Sequence, residues 1–577
     1  MTTGAKARRG QLLSTYGIGG LFPSETTSYM IVGLDEWNEN RARPVSEPRL
    51  ARSLHVSELK SPPAGTTRDV PVIRFPLTQV CPNPKCRRIG SLFELSKDWN
   101  VAKCAQCKEK AELTPFRLIV ACAKGHIDEF PYKWWLHKGT PVVEGVEHEM
   151  KLKSLGRTSS LADLVLTCSC GVPPKSLDGT FGPKALADHG ACNGARIWLG
   201  AQARETCSET PRVLQRGASN VWFPAVRSAI SIPPYSEALA KFVDKHWISL
   251  ADPDAVTPRL IENIAKSSNG KHSAEAITAE LERRRGEETD ADLSEAALRR
   301  DEFSALLAGR EENGVDSDFV CLPMRLDSSL PKLVTEVRKV TRLREVRALY
   351  GFSRLSGVAE LGAEGLCDLS HARQHWLPAV EVIGEGVFVA LDRGELTNWS
   401  KMPFAQRRRK LLQAAADRRA AEFGRPAPHV DIVQVAVHTL AHVLIDQLSL
   451  DAGYPASSLR ERLYVDDDMA GILVYTASSD SAGSLGGVAS QASPDGFAGA
   501  LREGLRRLSW CSSDPVCIES TASGTDALNL AACHACVLVP ETSCELNNTF
   551  LDRALLFGTH ERDEEFEGLF STFVAAG

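Results

Sequence analysis

Apolar residues change their period several times along this chain, and each change predicts an element. From Leu330 to Tyr350 the apolar positions Leu333, Val337, Val340, Leu343, Val346 and Leu349 recur at intervals of three and four, which predicts an amphipathic helix. A helix is predicted over about 404–421. A second, from Asp431 to about Leu450, is apolar on most sides and therefore predicted to be buried. Shorter apolar runs predict strands at Tyr29–Leu34, Gly384–Leu391 and Ile472–Tyr475. Residues 76–215 read as short strands and turns. Around 235–315 the text turns to Ala, Glu and Arg, as in Ala279–Glu288, and predicts solvated helices that could be an insertion. No period repeats along the chain.

At 577 residues the chain exceeds a single core. The expected architecture is α+β and multidomain, with zinc-ribbon-like modules and a mixed α/β C-terminal domain ending in a zinc site. The expected regions are an N-terminal region 1–75, a cysteine-rich region 76–215, a helical, partly inserted region 216–329 and a C-terminal domain 330–577. Hydrophobic content of 43% and charged content of 24% are those of a globular protein. No run approaches eighteen uninterrupted apolar residues, and the basic start lacks an apolar core behind it. A membrane span and a secretory signal are therefore not expected, and a cytoplasmic location is. A net charge of −6 argues against coating nucleic acid by bulk electrostatics and leaves room only for local basic faces.

The sixteen cysteines change the picture because they cluster: nine lie between Cys81 and Cys207, and five between Cys511 and Cys544. In a reducing compartment such clustering favours zinc over disulfides. Cys81-Pro-Asn-Pro-Lys-Cys86 and Cys104-Ala-Gln-Cys107 are two knuckles separated by strand-like text, the pattern of a zinc ribbon. Cys168, Cys170, Cys192 and Cys207 form a second candidate set, with His189 able to replace one thiol. Cys122 and His126 have ligand-like spacing but no evident second pair, and read as a buried thiol beside a hydrogen-bonded histidine. In the C-terminal block Cys533 and Cys536 form a knuckle whose expected partners are Cys517 and Cys544, with Cys511 as the alternate. Two or three structural zinc ions are expected.

Other constellations carry less. His438 and His442 stand at i and i+4 with Asp446 one turn on, a spacing that suits a metal, but the text is not His-Glu-x-x-His. Gly17–Gly20 and Gly483–Gly487 are glycine-rich, yet neither continues into Gly-Lys-Ser/Thr, and both read as tight turns. The Asp466–Asp468 run reads as an exposed turn. No nucleotide hydrolysis by the chain alone, and no catalytic residue, is expected. Two basic runs could hold phosphates without reading sequence: Arg338, Lys339, Arg342, Arg344 and Arg347 with Arg354, and Arg407, Arg408, Arg409 and Lys410 with Arg418 and Arg419.

The run Ala531–Arg553 resembles a zinc-binding domain of unknown function found at the C-terminus of some bacterial DNA-repair helicases and in stand-alone proteins. His438–His442, Gly453-Tyr454, Ser458–Tyr464 and Tyr475–Gly487 look like its upstream signatures. Arg9–Gly20 and Cys122–His126 are similar to a stand-alone branch, the DrmB family of the DISARM anti-phage system. The resemblance covers the beginning, the cysteine-rich part and the last 250 residues or so, and is weakest over 235–315. It carries the family's cysteines onto Cys517, Cys533, Cys536 and Cys544 and supplies no catalytic residues. It implies a non-motor partner of a DrmA-type helicase that acts with it on invading DNA, alongside methyltransferase and phospholipase-D-like components. Two other readings stand beside it: a metal-dependent nuclease using His438, His442 and Asp446, and an interaction scaffold that never touches DNA.

Overall fold

In the computed structural model, residues 6–66, 68–98, 101–139, 148–156, 158, 160–200, 202–250, 252–287, 294–311, 317–361, 365–422, 424, 426–476, 487–524, 527–559 and 567–575 are described. Of the glycine-rich Gly483–Gly487 turn, only Gly487 falls within them. The chain divides into two compact units that interleave along the sequence. One comprises 1–44, 60–226 and 348–380, and the other 45–59, 227–347 and 381–577. The fold is α+β, as the sequence implied.

The first unit is built from small three-stranded antiparallel sheets. One joins β1 (Leu21–Pro23), β2 (Ser28–Ile31) and β3 (Val72–Arg74). In the next, β4 (Thr78–Val80) lies between β5 (Ile89–Ser91) and β6 (Thr114–Pro115), and a capping box at Ser91 and Glu94 starts the short helix α1 (Leu92–Ser96). β7 (Leu118–Ala121) pairs with β8 (Ile127–Glu129) and, on its other edge, with β12 (Arg212–Gln215). Helix α2 (Tyr132–His137) leads toward a sheet of β9 (Met150–Ser154), β10 (Leu164–Cys168) and β11 (Lys175–Ser176). One apolar core, including Phe116, Leu118, Phe130, Trp135 and Leu166, serves three of these sheets. Sheets this small bury little apolar area each, so they need other staples.

The Gly17–Gly20 segment is a tight turn closed by Gly20 N–H donating to Gly17 O at 2.7 Å. Gly19 has φ +76°, and a Cβ there would meet the Phe352 ring at 2.4 Å. Arg354 is fully buried and donates to the carbonyls of Gly19, Gly125 and Val221 at 2.7–2.9 Å. It ties this turn to the Cys122–His126 hairpin and offers nothing to a phosphate.

The second unit holds most of a larger sheet, in the order β13 (Phe223–Ile230), β15 (Val334–Ser353), β16 (Trp376–Leu391), β18 (Ala470–Thr476), β17 (Leu459–Val465), with β14 (Val320–Pro323) added to β15; residues 223–226, 348–353 and 376–380 of its strands count with the first unit. The amphipathic helix expected over 330–350 is therefore a strand. Its β-branched content (Val334, Thr335, Val337, Val340, Thr341, Val346) suits a pleated surface. The strand is buried on both faces for much of its length, and a register shift opposite Val320 and Cys321 interrupts its period of two. Those two features leave apolar spacings of three and four that imitate a helix.

Helices α3 (Ala238–Lys245), α4 (Pro258–Ser267) and α5 (Ala274–Glu287) carry a small core of their own, with Val243, Ile261, Ile264, Ile277 and Leu281. Helix α6 (Glu295–Ala308) buries Glu302, which takes two hydrogen bonds from buried Arg462 at 2.6 and 2.7 Å. Helix α7 (Pro403–Glu422) buries a stripe of Phe404, Ala405, Arg408, Leu412, Ala415 and Ala416. Helix α8 (Ile432–Ala452) is capped by the Asp431 carboxylate and ends at Gly453 in the left-handed region. Among the described residues it is the one helix long and apolar enough to cross a membrane, but 89% of that window is buried within the unit. It is the core helix, packed on β17, β18 and α9 (Pro494–Leu508) through Val437, Leu440, Leu444 and Leu448.

Candidate metal centres

The ribbon cysteines meet at the end of the β4–β5 hairpin. Cys81 follows β4 and Cys86 precedes β5, while the Cys104–Cys107 turn closes over them through Cys104 N–H donating to Ala111 O at 2.8 Å. Cys81 and Cys107 sulfurs lie 3.9 Å apart, as do those of Cys86 and Cys104. A tetrahedron with Zn–S bonds of about 2.3 Å has S···S edges of about 3.8 Å. Burial pushes the Cys81 and Cys104 thiols up, whereas Cys107 falls through the Ala111 N–H that it accepts. Four sulfurs at these separations match the edges of a zinc tetrahedron, and a bound zinc would hold all four as thiolates.

Cys168 and Cys170 do not join Cys192 and Cys207; each pair meets a different set of partners. Cys122, His126, Cys192 and Cys207 place their donor atoms within 4.8 Å of one another. The first two sit on the tight β7–β8 hairpin, where Cys122 N–H donates to His126 O and Gly125 has φ +79°. Cys122 Sγ lies 3.3 Å from His126 Nδ1 and 3.9 Å from Cys207 Sγ. His126 Nε2 is 2.7 Å from the Glu205 carboxylate, which fixes Nδ1 as the nitrogen facing the sulfurs. The neighbouring Cys122 thiol, helped by His126, brings Cys192 down to about 4. The isolated reading of Cys122 and His126 thus gives way to a four-donor site whose second pair lies far along the chain. His189 is not part of it; its ring packs on Trp134.

Cys168 and Cys170, at the end of β10, face His137 and His148. His148 Nδ1 is 3.2 Å from Cys168 Sγ, and His137 Nε2 is 3.4 Å from Cys170 Sγ. His137 Nδ1–H donates to Lys133 O at 2.7 Å, so its Nε2 lone pair points at the sulfur. Cys170 is lowered to about 6, chiefly by the Val172 N–H that it accepts. Neither histidine stands at knuckle spacing from these cysteines. What brings His148 to Cys168 is the register that sets β9, just after His148, against β10, a pairing that spacing along the chain does not show.

In the second unit Cys511, not Cys544, completes the quartet with Cys517, Cys533 and Cys536. Sulfur separations are 3.5 Å for Cys511–Cys533, 3.6 Å for Cys533–Cys536 and 3.8 Å for Cys517–Cys536. Cys511 follows α9 and is held by Asp514, which accepts its N–H at 3.0 Å and pairs with buried Arg553. Burial raises Cys517 to about 11, while Cys533 is lowered against its own burial by the Ala535 N–H and the facing thiols. These donors fit zinc as the ribbon does. Cys544 lies instead with His438, His442 and Glu461, all fully or nearly fully buried. Asp446 is absent from that group and pairs with Arg507 at 2.6 Å.

The basic runs divide as well. Arg338 and Arg344 are buried, and Arg344 donates to Ser46 O, Ser231 Oγ and Glu381. Arg342 donates to Ser317 O, and Arg347 pairs with buried Glu345; Lys339 is half-buried on the same strand. On α7, Arg408 makes a bidentate pair with buried Asp552 at 2.7 Å, and Arg409 meets Gln406. Arg407, Lys410 and Arg418 are the exposed members.

Residues 8–223 match the model of a domain of unknown function (DUF8724), and residues 440–537 match the MrfA Zn-binding domain. Fold and donor sets together define a cysteine-rich, zinc-binding α+β protein. The DISARM protein DrmB of Bacillus paralicheniformis is 30% identical over 570 residues, covering 93% of this chain and 97% of that protein. The chain belongs to the DrmB family of DISARM proteins.

Proposed function

We propose that this chain is a non-motor, zinc-stabilised subunit of a bacterial anti-phage DISARM complex, working in the cytoplasm. It binds the DrmA-type helicase and helps that motor engage DNA. The observation that carries this reading is the likeness to DrmB over nearly the whole of both chains. The sequence supports it by containing no Gly-x-x-x-x-Gly-Lys-Ser/Thr run, so translocation must come from a partner.

Structural zinc is held by four sets, each of which offers four protein donors and leaves no position for a substrate. They are the Cys81 ribbon quartet, the Cys122 set with His126, the His137 and His148 pair with Cys168 and Cys170, and the Cys511 quartet. Four ions are thus proposed there, where spacing alone leads to an expectation of two or three. DNA contact falls to the α7 residues Arg407 and Lys410 with Arg418, because they are the exposed arginines and lysine of that basic run. The nuclease reading loses its geometry, because His438 and His442 are fully buried and Asp446 is engaged elsewhere.

Co-expression of the full chain with its helicase tests the proposal. The two co-purify and the isolated chain shows no ATPase activity; failure to associate in the reconstituted pair overturns the reading.

A further inference from the structure

We propose that His438, His442, Glu461 and Cys544 form a separate, closed zinc site inside the second unit. His438 and His442 project from one face of α8 a turn apart, Glu461 comes from β17, and Cys544 from the loop after the Glu541–Ser543 turn. The two histidines and Glu461 are 0% exposed and Cys544 is 4% exposed. Only His442 and Glu461 fall within the stretch matching the MrfA Zn-binding domain, and that stretch contains the Cys511, Cys517, Cys533 and Cys536 quartet complete.

Each donor is presented as a ligand would be. His442 Nδ1–H donates to Val537 O at 2.8 Å, and His438 Nδ1 faces Phe550 O at 3.4 Å, so both Nε2 atoms turn inward. His438 Nε2 lies 3.1 Å from Cys544 Sγ and 3.2 Å from Glu461 Oε1; His442 Nε2 lies 3.6 Å from Glu461 Oε2. Nitrogen and oxygen donors at about 2.0 Å from zinc stand about 3.3 Å apart. Cys544 Sγ accepts two backbone N–H groups, from Leu546 at 3.3 Å and Asn548 at 3.2 Å, which stabilises a thiolate.

A metal-free ion pair explains the cluster poorly. His442 Nε2 and Glu461 Oε2 are both buried and neither has a hydrogen-bond partner. At 3.6 Å they are too far apart to bond each other. Two orphaned groups in the core would cost about 1–3 kcal/mol each. A divalent ion between them satisfies both. It also balances charge, because one carboxylate and one thiolate cancel +2 and the imidazoles stay neutral. With four protein donors and no exposed face, the site is structural, a clasp joining α8, β17 and the C-terminal loop.

Crystals of the full chain purified without added chelator, measured above and below the zinc edge, test this. An anomalous peak is expected about 2.0–2.3 Å from the four donor atoms. A peak at the Cys511 quartet with none here overturns the proposal and leaves the zinc reading of that quartet intact. Metal analysis of full-length Cys544→Ser and Glu461→Gln gives a second readout. Each folded variant loses one zinc equivalent relative to the parent, and an unchanged content overturns the site.

Discussion

Two donor clusters lie in the same unit, and their settings differ. Cys511, Cys517, Cys533 and Cys536 come from two neighbouring loops, are partly open, and tie one local stretch to itself. His438, His442, Glu461 and Cys544 come from a helix, a strand and a loop, are closed to water, and touch the main core through Cys544. A cluster of the first kind staples a loop that meets the core through a partly buried member, Cys536. One of the second kind makes packing and metal binding a single cooperative event, because its donors exist together only in the folded unit.

That contrast predicts unequal responses to losing one thiol. Cys544→Ala should lower the unfolding free energy of the full chain by about 3–5 kcal/mol, the range for removing one partner from a buried charged group, since Glu461 stays behind in the core. Cys533→Ala should loosen the 511–536 segment locally and leave most of the unit folded. Thermal unfolding together with amide exchange over α8 distinguishes the two. Equal effects, or α8 protection lost in Cys533→Ala alone, would break the comparison.

The loop bearing Cys544 has a second anchor eight residues on. Asp552 is 0% exposed, so no water solvates its charge, and it accepts two hydrogen bonds from Arg408. Asp552 N–H also donates to Thr439 Oγ1 on α8 at 3.1 Å. Arg408→Ala should therefore cost about 3 kcal/mol by stranding the Asp552 charge. It should also weaken metal retention at the Cys544 site more than at the Cys511 quartet, which metal analysis after mild chelation would read.

The first unit supplies an intermediate case. His126 is oriented by the Glu205 carboxylate, whereas His442 is oriented by a main-chain carbonyl that no substitution removes. Glu205→Gln should weaken metal binding at the Cys122 site about 10–100-fold. Competition with a chromophoric chelator would show it, and an unchanged affinity would mean that the carboxylate does not orient the ring.

What could be read from the chain follows the same division. Cys81, Cys86, Cys104 and Cys107 were legible because both knuckles flank one small sheet. The pairing of Cys122 and His126 with Cys192 and Cys207 was not, since it depends on β7 and β12 becoming neighbours across a long connection. Glu461 left a faint trace: the alternation Leu459, Glu461, Leu463 puts a carboxylate on an apolar face, which demands a partner. Cys544 misled because five thiols compete by spacing alone, and spacing ignores that residues 540–550 cross over to α8. The α7 and α8 helices and the β16 and β18 strands were legible from pattern. The β15 strand was not, because burial on both faces and a register shift erase its period of two.

The smallest expected effect on stability tests the largest functional claim. Arg407 and Lys410 are exposed on α7, next to Arg408 in sequence but turned away from the core that Arg408 enters. Reversing both, Arg407→Glu with Lys410→Glu, should change unfolding far less than Arg408→Ala does, since both side chains are exposed. If these residues neutralise phosphates in the complex, each lost contact removes about 0.9 from the slope of log affinity against log salt. The double variant should then flatten the slope by about 2 and weaken binding to all duplex sequences alike. Arg408→Ala should show the opposite profile, with stability lost and the salt slope kept in whatever fraction stays folded. A double variant with an unchanged slope would remove α7 from the DNA path and leave the chain's part in the complex to protein contacts.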